Sequence, residues 1–162
     1  MRIRPQQACL AVVSTLFGVA LGSVVLAQSN TSAGTWRLNV GKSTFSPGPP
    51  PRSQTLKIQT FGLGVTTTVD VVAADGTTPH WTYTAGYDER DVRITGNDPS
   101  GDMAARKRIN SSTTVTTIKR MGKVTTVNTG VVSADGKTYT VTATGTDAQG
   151  RAVNNVLVFD KQ

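Results

Sequence analysis

From Thr138 to Thr146 a threonine stands at every second position, with Tyr139, Val141, Ala143 and Gly145 between them. Successive side chains of an extended chain point to opposite faces, so this run lays a hydroxyl ladder on one side of a sheet and a mainly apolar row on the other. The same bias runs through the whole protein: 26 Thr and 20 Val among 162 residues, both β-branched and both favoured on a pleated, half-buried surface. No window carries a helical stripe. Ten period-two runs separated by turn chemistry are read instead, at 35–40, 54–61, 65–73, 80–85, 91–95, 103–110, 113–120, 124–133, 138–146 and 153–161. The turns between them carry their own signals, among them Ala74-Asp75-Gly76, Asn110-Ser111-Ser112, Met121-Gly122-Lys123 and Ala134-Asp135-Gly136. Short turns make neighbouring strands antiparallel, so the chain is expected to be all-β, a single up-and-down meander of about ten strands forming a barrel or a clam. The last run is apolar on both faces near Val156 to Val158, which suits a strand flanked on both sides.

The amino terminus decides how much of the chain folds. Arg2 and Arg4 precede an uncharged stretch from Ala8 to Ala27 that ends in Val25-Leu26-Ala27, the small-residue pattern a signal peptidase cuts. Cleavage is predicted after Ala27, leaving 28–34 as a flexible lead and 35–162 as one domain. About 20 apolar residues can also span a bilayer, but Gly18, Gly22 and Ser23 and the cleavage-like end favour removal. The protein is therefore expected to be exported, periplasmic or secreted, with no transmembrane segment after cleavage. Cys9 leaves with the signal, so disulfides are excluded and packing must hold the domain together. Loss of Arg2 and Arg4 lowers the net charge from +7 to +5, a moderate basicity compatible with solubility, with an anionic envelope surface or with an acidic ligand.

Residues 46–51, Ser-Pro-Gly-Pro-Pro-Pro, fit neither strand nor helix and are read as a stiff connection between strands. Val71-Val72-Ala73-Ala74-Asp75-Gly76 and Val131-Val132-Ser133-Ala134-Asp135-Gly136 echo each other 60 residues apart. A good turn used twice explains this more simply than duplication of a domain half.

The opening Gly34-Thr35-Trp36-Arg37-Leu38-Asn39, the strand number and the closing Val156 to Gln162 resemble the calycins, the superfamily of lipocalins and fatty-acid-binding proteins. The opening, with the residues after it, also resembles a group of uncharacterised exported bacterial domains. The calycin resemblance implies a barrel closed at one end by Trp36. It departs from the fatty-acid-binding proteins in two places. Their two-helix lid between the first strands is replaced here by the proline-rich connection, and the arginine that their last strand carries for a carboxylate is Leu157, two positions before Phe159.

Chemistry is sparse. His80 is the single histidine, no Gly-x-Ser-x-Gly elbow is present, and Glu89 is the single glutamate, beside Asp88 and Asp91 in a turn. Catalysis, a metal site and a cofactor are accordingly not expected. His80 to Tyr87 concentrates three of the nine aromatic residues, with Trp81 and Tyr83 on one side of a strand. A basic cluster, Arg106-Lys107-Arg108 with Lys119, Arg120 and Lys123, falls on the next hairpin, with Arg106 and Arg108 on one face; it lacks the interleaved aromatics of a nucleic-acid surface. The expectation is a monomeric, non-catalytic binding module for a small amphipathic ligand. Its apolar body would lie against Trp81, Tyr83, Leu157 and Phe159, and any anionic group near Arg106 or Arg108. The other expectation is an interaction domain that uses the basic, Thr-rich surface.

Overall fold

The computed structural model describes residues 31–162; the expected signal peptide lies outside the described residues. Eleven strands follow in chain order: β1 (Gly34–Leu38), β2 (Ser53–Phe61), β3 (Gly64–Val72), β4 (His80–Ala85), β5 (Val92–Arg93), β6 (Thr95–Gly96), β7 (Met103–Arg108), β8 (Thr113–Arg120), β9 (Lys123–Val132), β10 (Thr138–Thr146) and β11 (Ala152–Lys161). They form one antiparallel sheet in the order β5-β7-β8-β9-β10-β11-β1-β2-β3-β4-β6. The first and last strands are neighbours, so β11 is flanked on both sides, as its doubly apolar middle requires.

The two edges of this sheet are β5 and β6, and a single residue, Ile94, separates them. The run expected as one strand at 91–95 is thus divided between two neighbours. Val92 pairs with Ala104 of β7, and Thr95 pairs with Thr82 of β4. Between them Ile94 is 6% exposed, packed with Tyr83, Ala85, Ala104 and Ile118. One apolar side chain therefore plugs the seam, and the meander becomes a nearly closed barrel.

Strand direction alternates around the meander, so the connections β1–β2, β3–β4, β6–β7, β8–β9 and β10–β11 gather at one end and the others at the opposite end. The two Ala-Asp-Gly turns share their bonding: Gly76 N–H donates to Ala73 O as Gly136 N–H does to Ser133 O, and Asp75 and Asp135 each accept the N–H two residues on. They lie at opposite ends of the barrel. A rotation about the barrel axis cannot superpose them; a dyad across that axis could.

The end that holds β1's start is packed solid. Trp36, Ile58, Val65 and Phe159 are at most 2% exposed there, and the Trp36 ring meets Tyr139 at a centroid distance of 5.4 Å. Trp36 Nε1 donates to Ser32 O at 2.9 Å, and Ser32 is itself buried, so the described end of the expected lead lies against this floor. Trp36 closes one end of the barrel, as the calycin resemblance implies. Gly130 is part of the same device: a Cβ there would come within 2.1 Å of Tyr139 Oη, so the bare backbone makes room for the ring.

Candidate functional site

Above this floor the barrel encloses a cavity of about 420 Å³ that opens at the other end. Its mouth is crossed by the proline-rich connection. Thr44 bridges to Val156, Ser46 exchanges bonds with Asn154 and Asn155, and Arg52 reattaches the chain to Val72 O and Ala74 O. Between these anchors every second residue, Phe45, Pro47, Pro49 and Pro51, faces the cavity. The stiff connection expected from sequence is thus a wall of the site as well. Prolines suit that place because they present apolar surface and no N–H that would need a partner.

The interior has two characters. Leu56, Val69, Val71, Trp81, Leu157 and Phe159, from β2, β3, β4 and β11, make an apolar arc. Across from it, β7, β8 and β9 present Arg106, Thr116, Thr126 and Asn128. Arg106 is 2% exposed and reaches across the barrel: Nη1 donates to Thr67 Oγ1 on β3 at 3.3 Å and Nη2 to Thr114 Oγ1 on β8 at 3.2 Å. Its Nε–H has no partner, and the buried Tyr87 hydroxyl has none either. No carboxylate among the described residues pairs with this guanidinium. Burial opposes its charge most strongly, and what holds its pKa above the ordinary arginine value is the coulombic pull of Tyr83, Tyr139 and Tyr87, an attraction that an ionised phenol exerts and a neutral hydroxyl does not. These are all three tyrosines of the protein. Burial likewise raises the Tyr139 hydroxyl, which stays neutral at physiological pH.

Of the six residues expected to form a site, Trp81, Tyr83, Arg106, Leu157 and Phe159 line one cavity. Arg108 shares the inward face of β7 but is not among the lining residues; its guanidinium stacks on Tyr87, 3.9 Å from the ring centroid. Thr67, Thr114, Thr116, Thr126, Asn128 and the strap residues were not anticipated. A threonine on a strand reads as an outer-face residue, and only the cross-strand neighbours reveal these as inner ones.

The basic hairpin does not present its charge as a patch. Arg106 is inside, Lys107 pairs with Glu89 at 3.1 Å, Lys119 pairs with Asp91 at 2.7 Å, and Arg120 donates to Pro99 O. His80 lies on the outside beside Asp70 at 2.7 Å, both more than half exposed. No group of three potential metal ligands occurs among the described residues. At the mouth, burial raises the pKa of the Asp98 carboxyl, partly offset by the bond it accepts from Ser100 N.

No protein-family model matches the chain, and no curated protein matches it. Among solved structures it is similar to the zebrafish ileal bile acid-binding protein complexed with cholic acid, at 13% identity and a TM-score of 0.49, over 82% of this chain and 99% of that one.

Proposed function

We propose that this protein is an exported, non-catalytic binding module for a small amphipathic anion. The anionic group meets Arg106 at the bottom of the cavity, and the apolar body lies along Trp81, Leu157 and Phe159 toward the proline strap. The observation that carries this reading is a nearly fully buried guanidinium, aimed across a cavity, with a free N–H and no carboxylate. Burying an unpaired cation costs several kcal/mol, roughly, and a fold keeps one where a ligand supplies the counter-charge. A basic outer surface for an anionic polymer has less support, because Lys107, Lys119 and Arg120 are already engaged.

Native mass spectrometry of the protein purified from its own host, followed by organic extraction, tests the proposal directly. A stoichiometric anionic amphiphile and a mature mass beginning at Gln28 are expected. An apo protein that also fails to bind decanoate saturably would overturn the ligand reading, and a mass retaining the first 27 residues would overturn export by cleavage.

A further inference from the structure

The cavity carries more polarity than one anionic head group needs, and below the mouth that excess gathers beside Arg106. Arg106 pairs in register with Thr116 of β8, and Thr116 with Asn128 of β9, so the three side chains form one row along the wall. Neighbours in such a row stand about 5 Å apart. Thr126 lies two residues from Asn128 on the same face of β9, one step nearer the mouth. Thr116 and Thr126 are 7% and 6% exposed. The side chains of Thr116, Thr126 and Asn128 make no hydrogen bond within the protein among the described residues, and all three face the cavity. Thr67 and Thr114, by contrast, are both occupied by the guanidinium.

Above this row the wall changes. The strap residues Phe45, Pro47, Pro49 and Pro51, with Val71 and Val153, add apolar surface to the upper part, and Asp98, Ser100, Asp147 and Asn155 also line it toward the mouth. The site therefore sets hydrogen-bonding groups beside the cation's row and one step above it, with the strap's apolar surface nearer the mouth. A plain alkyl acid would bury its first methylenes against unpartnered hydroxyls and an amide, and buried polar groups without partners cost stability.

Resting on the reading of the cavity as an anion-binding site, we infer that its ligand is a carboxylate bearing a hydroxyl within a few atoms of the acid group, followed by an apolar tail. The hydroxyl meets Thr116 and Asn128 while the carboxylate meets Arg106, and the tail runs up to the strap.

Three acids of one chain length separate the possibilities: decanoate, 3-hydroxydecanoate and 10-hydroxydecanoate, each titrated by calorimetry. The two hydroxy acids are of equal polarity and differ only in where the hydroxyl stands. The 3-hydroxy acid is expected to bind about ten-fold more tightly than the 10-hydroxy acid, the worth of one hydrogen bond at the lower row against a hydroxyl pressed on proline. In Thr116→Val and Asn128→Leu that ratio is expected to fall toward one, with thermal melts reporting whether each variant folds. Equal affinities in the wild-type protein, or a ratio unmoved in both folded variants, would overturn this inference and leave the anion-binding reading intact. Failure of all three acids to bind would overturn both.

Discussion

Replacing Arg106 with methionine separates a residue kept for function from one kept for stability. The guanidinium is 2% exposed and makes two bonds to neutral hydroxyls at 3.3 and 3.2 Å, each contributing about 1 kcal/mol. Its 5.7 Å approach to the Tyr87 ring adds on the order of 1 kcal/mol. Against these stands the desolvation of a cation with no carboxylate to offset it, an effective cost of several kcal/mol, roughly, in folded proteins. Methionine fills a similar space with a flexible apolar side chain and leaves no charge. The apo protein is therefore expected to gain about 1 to 3 kcal/mol, which for a domain of this size raises Tm by about 3 to 12 °C. The same substitution is expected to weaken decanoate binding by about 100-fold, because the head group loses its buried counter-charge. Calorimetric melts of the apo variant and titration with the acid read the two effects independently. A Tm lowered by more than about 3 °C would refute the reasoning. Arg106 would then be a strut between β7 and β3, its missing partner no argument for a ligand.

Gly130→Val places a side chain where a Cβ already lies 2.1 Å from Tyr139 Oη, and the ring, held between Trp36 and Phe159, has nowhere to go; a loss of about 3 kcal/mol in urea melts is expected. Asp98 has a raised folded pKa, so the folded state binds its proton more readily than the unfolded chain, and stability falls as pH rises from the unfolded value of about 3.9 through the folded one. Asp98→Asn keeps an acceptor for Ser100 N and removes the charge, so it should raise Tm at pH 7 and have little effect at pH 3; a lower Tm at pH 7 would contradict this. Decanoate affinity should change less than about three-fold between 50 and 500 mM salt, since a buried cation is poorly screened, whereas attachment through Lys107, Lys119 and Arg120 would weaken steeply.

How much of this could be read from sequence depended on what each strand faces. β10 matched its expected bounds because its inner side is apolar and its outer side is threonine, so composition alternates with the pleat. β8 also matched its bounds, yet its faces were hidden. Thr114 and Thr116 point inward with Ile118, while Val115 lies on the outer face beside Lys107 and Lys119, so neither face is consistently apolar. That loss of contrast has a physical origin: the inner side of this stretch of wall meets a guanidinium and carries hydroxyls where a packed core would be apolar. The same holds for β7, where Ala104 and Ala105 are both buried and Arg106 follows on the inner face, against the usual placement of arginine. Sequence reading is therefore sharpest where the barrel is an ordinary packed core, around Trp36 and Phe159, and weakest where the cavity begins. The convergence of Tyr83, Tyr87 and Tyr139 on Arg106 shows the limit directly, since β4, the loop after it and β10 meet there only once the barrel has closed. Trp81, Tyr83, Leu157 and Phe159 line one cavity as their large apolar side chains suggest, although β11 is apolar on both faces near Leu157; the hydroxyl row beside Arg106 needed the cross-strand register.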